Sequence, residues 1–132
     1  MVLKCHTIWV YEHIRISWEV KIVVNIFKAL SDETRLRILS LICNVEMCVC
    51  EIEKCLNLTQ SNASRHLTAL KNSGILSSYK QAQWTYYRVN DKFKLENNEL
   101  WEYLQHKLKQ IPTYQIDSEQ YQKCNEQNLC NN

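Results

Sequence analysis

The sequence predicts a mainly α-helical domain carrying one small β-hairpin. Three observations lead there. Glycine and proline occur once each in 132 residues, as Gly74 and Pro112, too few for a turn-rich all-β fold. Apolar residues recur at helical spacing in several segments between Val20 and Ile111. Between Ile75 and Val89 that spacing gives way to alternation, the mark of a hairpin. A composition of 45% apolar and 23% charged residues is ordinary for a globular protein. The length suits one domain with a modest core.

Residues 1–19 show no clean period, and Ile8, Val10, Ile14 and Ile16 favour an extended or irregular N-terminal extension. A helical pattern starts at Val20, with Ile22, Ile26, Phe27 and Leu30 on one face. Ser31-Asp32 interrupts it and caps a second helix, in which Glu33 suits the first turn and Leu36, Leu39 and Cys43 line a face. Residues 49–56 form a short helical piece, followed by a tight turn at Leu56-Asn57-Leu58, where Asn57 suits a left-handed corner. Thr59 is an N-cap for a third amphipathic helix over about 60–73, with Ala63, Leu67 and Leu70 inward and Gly74 as its stop. The runs Ile75–Lys80 and Trp84–Val89 are joined by Gln81-Ala82-Gln83. Leu95 to Ile111 returns to helix, with Leu100, Trp101, Leu104, Leu108 and Ile111 on one broad face until Pro112 ends it. The Gln- and Asn-rich tail, 112–132, reads as disordered. Residues 20–111 therefore form the domain. Helix, turn, helix and hairpin in that order make a winged helix-turn-helix, whose second helix normally enters the DNA major groove.

Several function classes are excluded. Phosphate-cradling loops need several glycines, and Gly74 stands alone. Sixteen basic against 14 acidic residues give a net charge of +2, so any nucleic-acid surface must be a local patch. No apolar run approaches a membrane span, and charges break up the N-terminus too often for a signal peptide. Seven cysteines without a secretory signal read as thiols in a reducing cytosol. An enzyme is not expected. Cys48 and His66 have no acyl-transfer motif around them, and Cys48-Val49-Cys50 lacks a second paired ligand motif at zinc-finger spacing.

From about Asn25 to Asn90 the chain resembles the ArsR/SmtB family of bacterial metal-responsive repressors, of the arsenical-resistance type. The resemblance rests on Phe27-Lys28-Ala29-Leu30-Ser31-Asp32-Glu33-Thr34-Arg35-Leu36-Arg37-Ile38-Leu39 and on Glu46-Met47-Cys48-Val49-Cys50-Glu51-Ile52. It rests also on Thr59-Gln60-Ser61, Ser64-Arg65-His66-Leu67, Leu70-Lys71-Asn72-Ser73-Gly74-Ile75-Leu76 and Trp84-Thr85-Tyr86-Tyr87-Arg88-Val89. It implies a homodimer joined through first and last helices, an operator DNA with two-fold related half-sites, and release when a metal or metalloid binds. The Glu46–Ile52 box resembles the family's thiolate site for arsenite, antimonite, cadmium or lead. As(III) or Sb(III) is the expected inducer, Cd(II) or Pb(II) the alternative, and thiol redox sensing a further one; no resident cofactor is expected.

The physical case for Cys48 and Cys50 is that soft thiophilic ions select thiolates, and that a helix N-terminus favours the thiolate. Side chains two apart on a helix point apart, so both reach one ion only if the helix start is unwound or lies outside the helix. Ligation there should distort the element leading to the recognition helix. Where the family's arsenite box has a third cysteine, this chain has Glu53. Cys55 is the nominated third ligand, about 10 Å along the axis from Cys48, so it joins only if the helix melts or if it serves the other subunit. Cys43, Cys124, Cys130 and Cys5 compete, and Cys43 and Cys55 also read as small buried hydrophobes. Cadmium and lead relatives recruit an N-terminal arm, which would use Cys5. Trp18-Glu19-Val20 can encode a ribosome-binding sequence ahead of Val23 or Val24, so residues 1–22 read as an over-extended start. The family's zinc motif on the last helix is not recognisable, and His106 stands alone there.

For DNA, Gln60, Ser61, Asn62, Ser64, Arg65 and Thr68 oppose the apolar face of the recognition helix. Gln, Asn and Arg carry the hydrogen-bonding forks that read base edges, and Ser and Thr suit phosphates or bases. His66 matches the family position. Lys71, Lys80 and Arg88 are phosphate candidates. Ala82 and Gln83 replace the glycine and basic residue usual at the family's wing tip; alanine is costly at positive φ, which predicts a different turn and a weaker grip.

Overall fold

The computed structural model describes residues 2–127, with side chains from Thr7 onward; Cys130 and the Cys5 side chain lie outside these. The elements are α1 (Val2–Leu30), α2 (Glu33–Ile42), β1 (Met47–Cys48), α3 (Val49–Leu56), α4 (Gln60–Asn72), β2 (Leu76–Gln81), β3 (Trp84–Val89), α5 (Asp91–Glu96), α6 (Asn98–Leu108) and α7 (Tyr114–Glu126). The architecture is a winged helix-turn-helix, mainly α, with α3 and α4 as the helix pair and β2–β3 as the wing.

The N-terminal extension is helical rather than irregular. α1 runs unbroken because residues 2–30 contain no glycine or proline, and its β-branched residues lower helix propensity only slightly. Local pairs line it: Arg15–Glu19 at 3.5 Å and Trp9 against His13 at 4.1 Å between ring centroids. Among its described side chains, only those of the last turns enter the core, through Ile26, Ala29 and Leu30. Arg35 closes its end, donating from Nε to the Ala29 carbonyl at 2.6 Å and from Nη2 to that of Lys28 at 3.0 Å. Asp32 caps α2 by accepting from the Arg35 backbone N–H at 3.0 Å.

The core is built on Ile38 and Leu39 of α2, Met47, Ile52 of α3, Leu67 and Leu70 of α4, and Ile75, all fully buried. Ala63, Leu67 and Leu70 face inward as their spacing predicts. The α3–α4 corner is also as expected, with Asn57 left-handed at φ +52 and Thr59 accepting from the Asn62 N–H at 3.3 Å. Gly74 takes φ +82 after α4 while its missing Cβ would meet nothing, so the backbone angle alone demands glycine. The sheet has order β1-β3-β2 and is antiparallel throughout. Its third strand, β1, was not apparent from two residues of pattern. At the wing tip Ala82 accepts φ +54, so the chain keeps a tight turn and carries the strain of a left-handed alanine.

The expected helix over Leu95–Ile111 is two helices, α5 and α6, separated at Asn97 (φ −126, ψ 44). Leu95 is exposed, while Trp101, Leu104 and Leu108 are buried as predicted. The tail corrects a second expectation: Tyr114–Glu126 is helical and packs on α2 and α3. Asp117, only 2% exposed, accepts from Arg37 Nε at 2.9 Å and Nη2 at 2.7 Å. Tyr121 and Cys124, four and seven residues on, continue the same stripe into the core. No helix among the described residues is long and apolar enough to cross a membrane.

Candidate thiol centre and nucleic-acid interface

Cys48 ends β1 and is the N-cap of α3, with extended backbone angles of φ −81 and ψ 162. It therefore lies outside the helix, one of the two arrangements under which Cys48 and Cys50 can turn toward one ion. Glu51 completes a capping box, its carboxylate accepting from the Cys48 backbone N–H at 2.7 Å. Cys48 is buried, Cys50 half-buried in the first helical turn, and Cys55 buried on the core side of α3.

The helix start does not activate the Cys48 thiol. Burial raises its pKa, and the nearby Glu51 charge and Cys50 reinforce the rise, outweighing the Glu51 backbone N–H. The thiolate is the form that oxidants attack, and burial disfavours it at Cys48. Cys43 is likewise pushed up by burial, against the pull of Lys109 and Lys94. None of Cys43, Cys48, Cys50, Cys55 and Cys124 is in a disulfide. Among the described residues no three His, Cys, Asp or Glu side chains are gathered to hold a metal ion. Cys48 and Cys50 thus fit a thiophilic ion in donor type, and a third donor requires movement. Cys124 sits in the same buried cluster as Cys55, brought there by α7.

β1 ties the thiols to the wing. Met47 pairs with Tyr87 and Cys48 with Tyr86; continued by one residue, the register sets Glu46 opposite Arg88. Those two side chains meet at 3.5 Å, about half exposed. The Tyr79 hydroxyl donates to the other Glu46 carboxylate oxygen, and this hydrogen bond is the main reason its phenol pKa is raised. Tyr79 stacks on Tyr86 at 5.6 Å between centroids, and the Arg88 guanidinium lies 5.9 Å from the Tyr79 ring centroid. Beyond its place at the head of the cysteine box, nothing in the sequence assigns Glu46 a role or links it to Tyr79, because both of its partners reach it only once β1 joins the wing.

On α4, Gln60, Ser61, Asn62, Arg65, Thr68 and Lys71 are exposed and Ser64 is half-buried. Arg65 reaches Asn62 at 3.4 Å. His66 departs from the group: it is buried, with Nδ1 3.7 Å from Asp32, too far for a hydrogen bond. Burial lowers its pKa against the opposing charge of Asp32, and it is buried on α4 together with Ala63, Leu67 and Leu70, apart from the exposed candidates. Lys80 and Arg88 are both exposed. Alternation along the hairpin puts Arg88 with Tyr79 and Tyr86 on one face and Lys80 with Thr85 on the other, so the two cations address different directions.

The sequence profile described as "Bacterial regulatory protein, arsR family" matches residues 32–78, from the cap of α2 into the wing. An arsenic resistance transcriptional regulator of Pseudomonas putida is 49% identical over 67 residues, 50% of this chain and 58% of that protein. A cadmium resistance transcriptional regulatory protein homologue of Staphylococcus aureus is 41% identical, over 53% of this chain and 59% of its own. The chain thus spans little more than half of either. An HTH-type transcriptional regulator of Methanocaldococcus jannaschii is 46% identical over 53% of this chain and 81% of its own length. Among solved structures, a homodimeric winged helix-turn-helix domain of Mycobacterium bovis, described as a possible ArsR-family regulator, superposes with a TM-score of 0.63. It is 26% identical over 74% of this chain and 88% of that one.

Proposed function

The chain belongs to the arsR family of bacterial regulatory proteins, and on that premise we propose that it is a cytoplasmic, homodimeric repressor released from operator DNA by arsenite or antimonite at Cys48 and Cys50. The observation that carries this reading is the position of the pair. Cys48 and Cys50 straddle the junction between β1, paired to the wing strand, and α3, one three-residue corner from α4. Drawing both sulfurs to one ion strains both routes to the DNA-facing elements. Base contacts fall to Gln60, Asn62, Ser64 and Arg65, with Ser61 and Thr68 on bases or phosphates, and Lys71, Lys80 and Arg88 on phosphates. The third ligand is a thiol brought in by movement, with Cys55 the nearest along the helix. Self-association is supported by α1, which leaves Trp9, Ile16, Val20, Val23 and Phe27 exposed along one face, an apolar surface of the kind that marks interfaces.

Switching the dimer from mostly bound to mostly free requires about 10⁴-fold preference of the inducer for the free state, or ~5.5 kcal/mol. Linkage then requires operator DNA to weaken inducer binding by the same factor. The test is fluorescence anisotropy of the reduced protein on DNA from upstream of its own gene, with arsenite, antimonite, cadmium, lead and zinc titrated separately. Release by arsenite that is lost in Cys48→Ser and in Cys50→Ser supports the reading. Release by cadmium or lead alone moves the assignment to those ions, the reading that the cadmium-resistance relative favours. DNA binding that no ion relieves overturns the thiol switch.

A further inference from the structure

The wing and the thiol pair are joined by a second connection besides the β1–β3 pairing, and it runs through one carboxylate. Glu46 stands one residue before β1 and two before Cys48. One of its oxygens meets Arg88 and the other accepts from Tyr79, so a single side chain bridges the strand that carries Cys48 to both strands of the wing. Tyr79 stacks on Tyr86, the residue paired with Cys48 across the sheet. Glu46, Arg88, Tyr79, Tyr86 and Cys48 therefore form one continuous patch. An exposed ion pair of this kind contributes little to stability, about 0–1 kcal/mol. Within that energy it biases the direction of the one wing cation on that face.

We propose that Glu46 is a positioning residue that orients Arg88 and Tyr79 for DNA and transmits movement of the Cys48 strand to the wing. The inference rests on the thiol-switch reading above. β1 is only two residues long, so it has little pairing with which to resist a shift at Cys48. When residues 46–50 rearrange around an ion, Glu46 leaves its place opposite Arg88. The guanidinium and the stacked tyrosines then lose their common anchor.

Simple electrostatics predicts the opposite effect of removing Glu46. A carboxylate beside a phosphate-seeking arginine repels DNA, so its loss should tighten binding. A positioning role predicts that Glu46→Ala weakens operator binding several-fold despite the lost negative charge. Glu46→Gln keeps an acceptor for Tyr79 and drops the ion pair, so it should fall between Glu46→Ala and the parent.

The experiment uses the full chain, reduced, with ring-labelled tyrosine observed by NMR and the Tyr79 and Tyr86 signals assigned through Tyr79→Phe and Tyr86→Phe. Sodium arsenite, and cadmium chloride separately, are added without DNA while free thiols are counted. The expected result is that Tyr79 and Tyr86 signals move as Cys48 and Cys50 are consumed, and that Glu46→Ala abolishes most of the Tyr79 movement. Ligation with both rings unmoved overturns the inference and leaves the thiol switch standing. Absence of ligation by either ion overturns both. Tighter or unchanged operator binding by Glu46→Ala, with circular dichroism showing an intact fold, also overturns the positioning role. The NMR arm needs no operator, so a failure to bind DNA is separable from a failure of the wing connection.

Discussion

The two terminal helices differ in a way that composition gets backwards. Residues 7–25 of α1 are rich in isoleucine, valine and tryptophan and stand in solvent. α7 is rich in glutamine and glutamate and is docked on the body. Helix α2 holds both, with arginines two residues apart. Arg35 grips the last carbonyls of α1, and Arg37 grips the buried carboxylate of Asp117. Apolar content supplies a tendency to be buried, and a complementary surface decides whether burial happens within the chain. α1 points away from any such surface. α7 needs only a stripe of Asp117, Tyr121 and Cys124 to find one.

The sharpest way to break that contrast is Asp117→Ala. It leaves Arg37 partly buried without its partner, and removing one member of a buried pair costs about 3–5 kcal/mol. Arg37 keeps a quarter of its side chain in water, so the lower end, about 3 kcal/mol, is expected from urea unfolding, with early proteolysis after α6. A loss below about 1 kcal/mol, the scale of surface pairs, would show that α7 is held by its apolar contacts instead.

A smaller effect comes from pH at the foot of α1. The pKa of His66 is lowered by burial. Burial also pushes the Asp32 carboxyl up, but the Arg35 backbone N–H and charge and the charge of His66 reverse this and leave it lowered. Both folded values lie below the unfolded ones, so both contributions are present at higher pH and are lost as pH falls. The unfolding free energy should be flat above pH 7 as far as these groups go. It should start to decline below the ordinary His value of 6.5 and decline again below the ordinary Asp value of 3.8. His66→Asn should remove the first decline and leave the second; urea midpoints across pH measure both.

The smallest effect should follow from deleting residues 7–22. Those residues are exposed, so unfolding of the dilute chain should change within about 0.5 kcal/mol, as for surface changes generally. Sedimentation at higher concentration should register lost self-association. A large drop in stability at high dilution would mean that α1 packs on its own body. The intact mass of the native protein decides separately whether residues 1–22 belong to it.

The helix-turn-helix was legible because its signals are local. Thr59, Asn57 and Gly74 each act on the backbone beside them, and the Ala63-Leu67-Leu70 spacing needs only one helix to be read. The Asp117 anchor was not legible, since its partner lies 80 residues away and a lone aspartate in a polar tail reads as solvated. β1 was hidden for a similar reason: two residues make no pattern, and the strand exists only because β3 offers it an edge. With β1 hidden, Glu46 had no visible partner. His66 matches the family's DNA position by resemblance, and its burial beside Ala63, Leu67 and Leu70 is not visible from that match.

The left-handed Ala82 has a consequence for the order in which the molecule assembles. A hairpin closes early when its turn favours closure by itself, and alanine at φ +54 opposes closure locally. The wing then forms only when β3 has the helical body and β1 to lie against. Helices α2–α4 should therefore gain protection first on refolding, and amides near Gln81–Trp84 should exchange fastest in the native state. The sheet that would report on the thiols should thus also be the last to form, and protection measured during refolding checks that order.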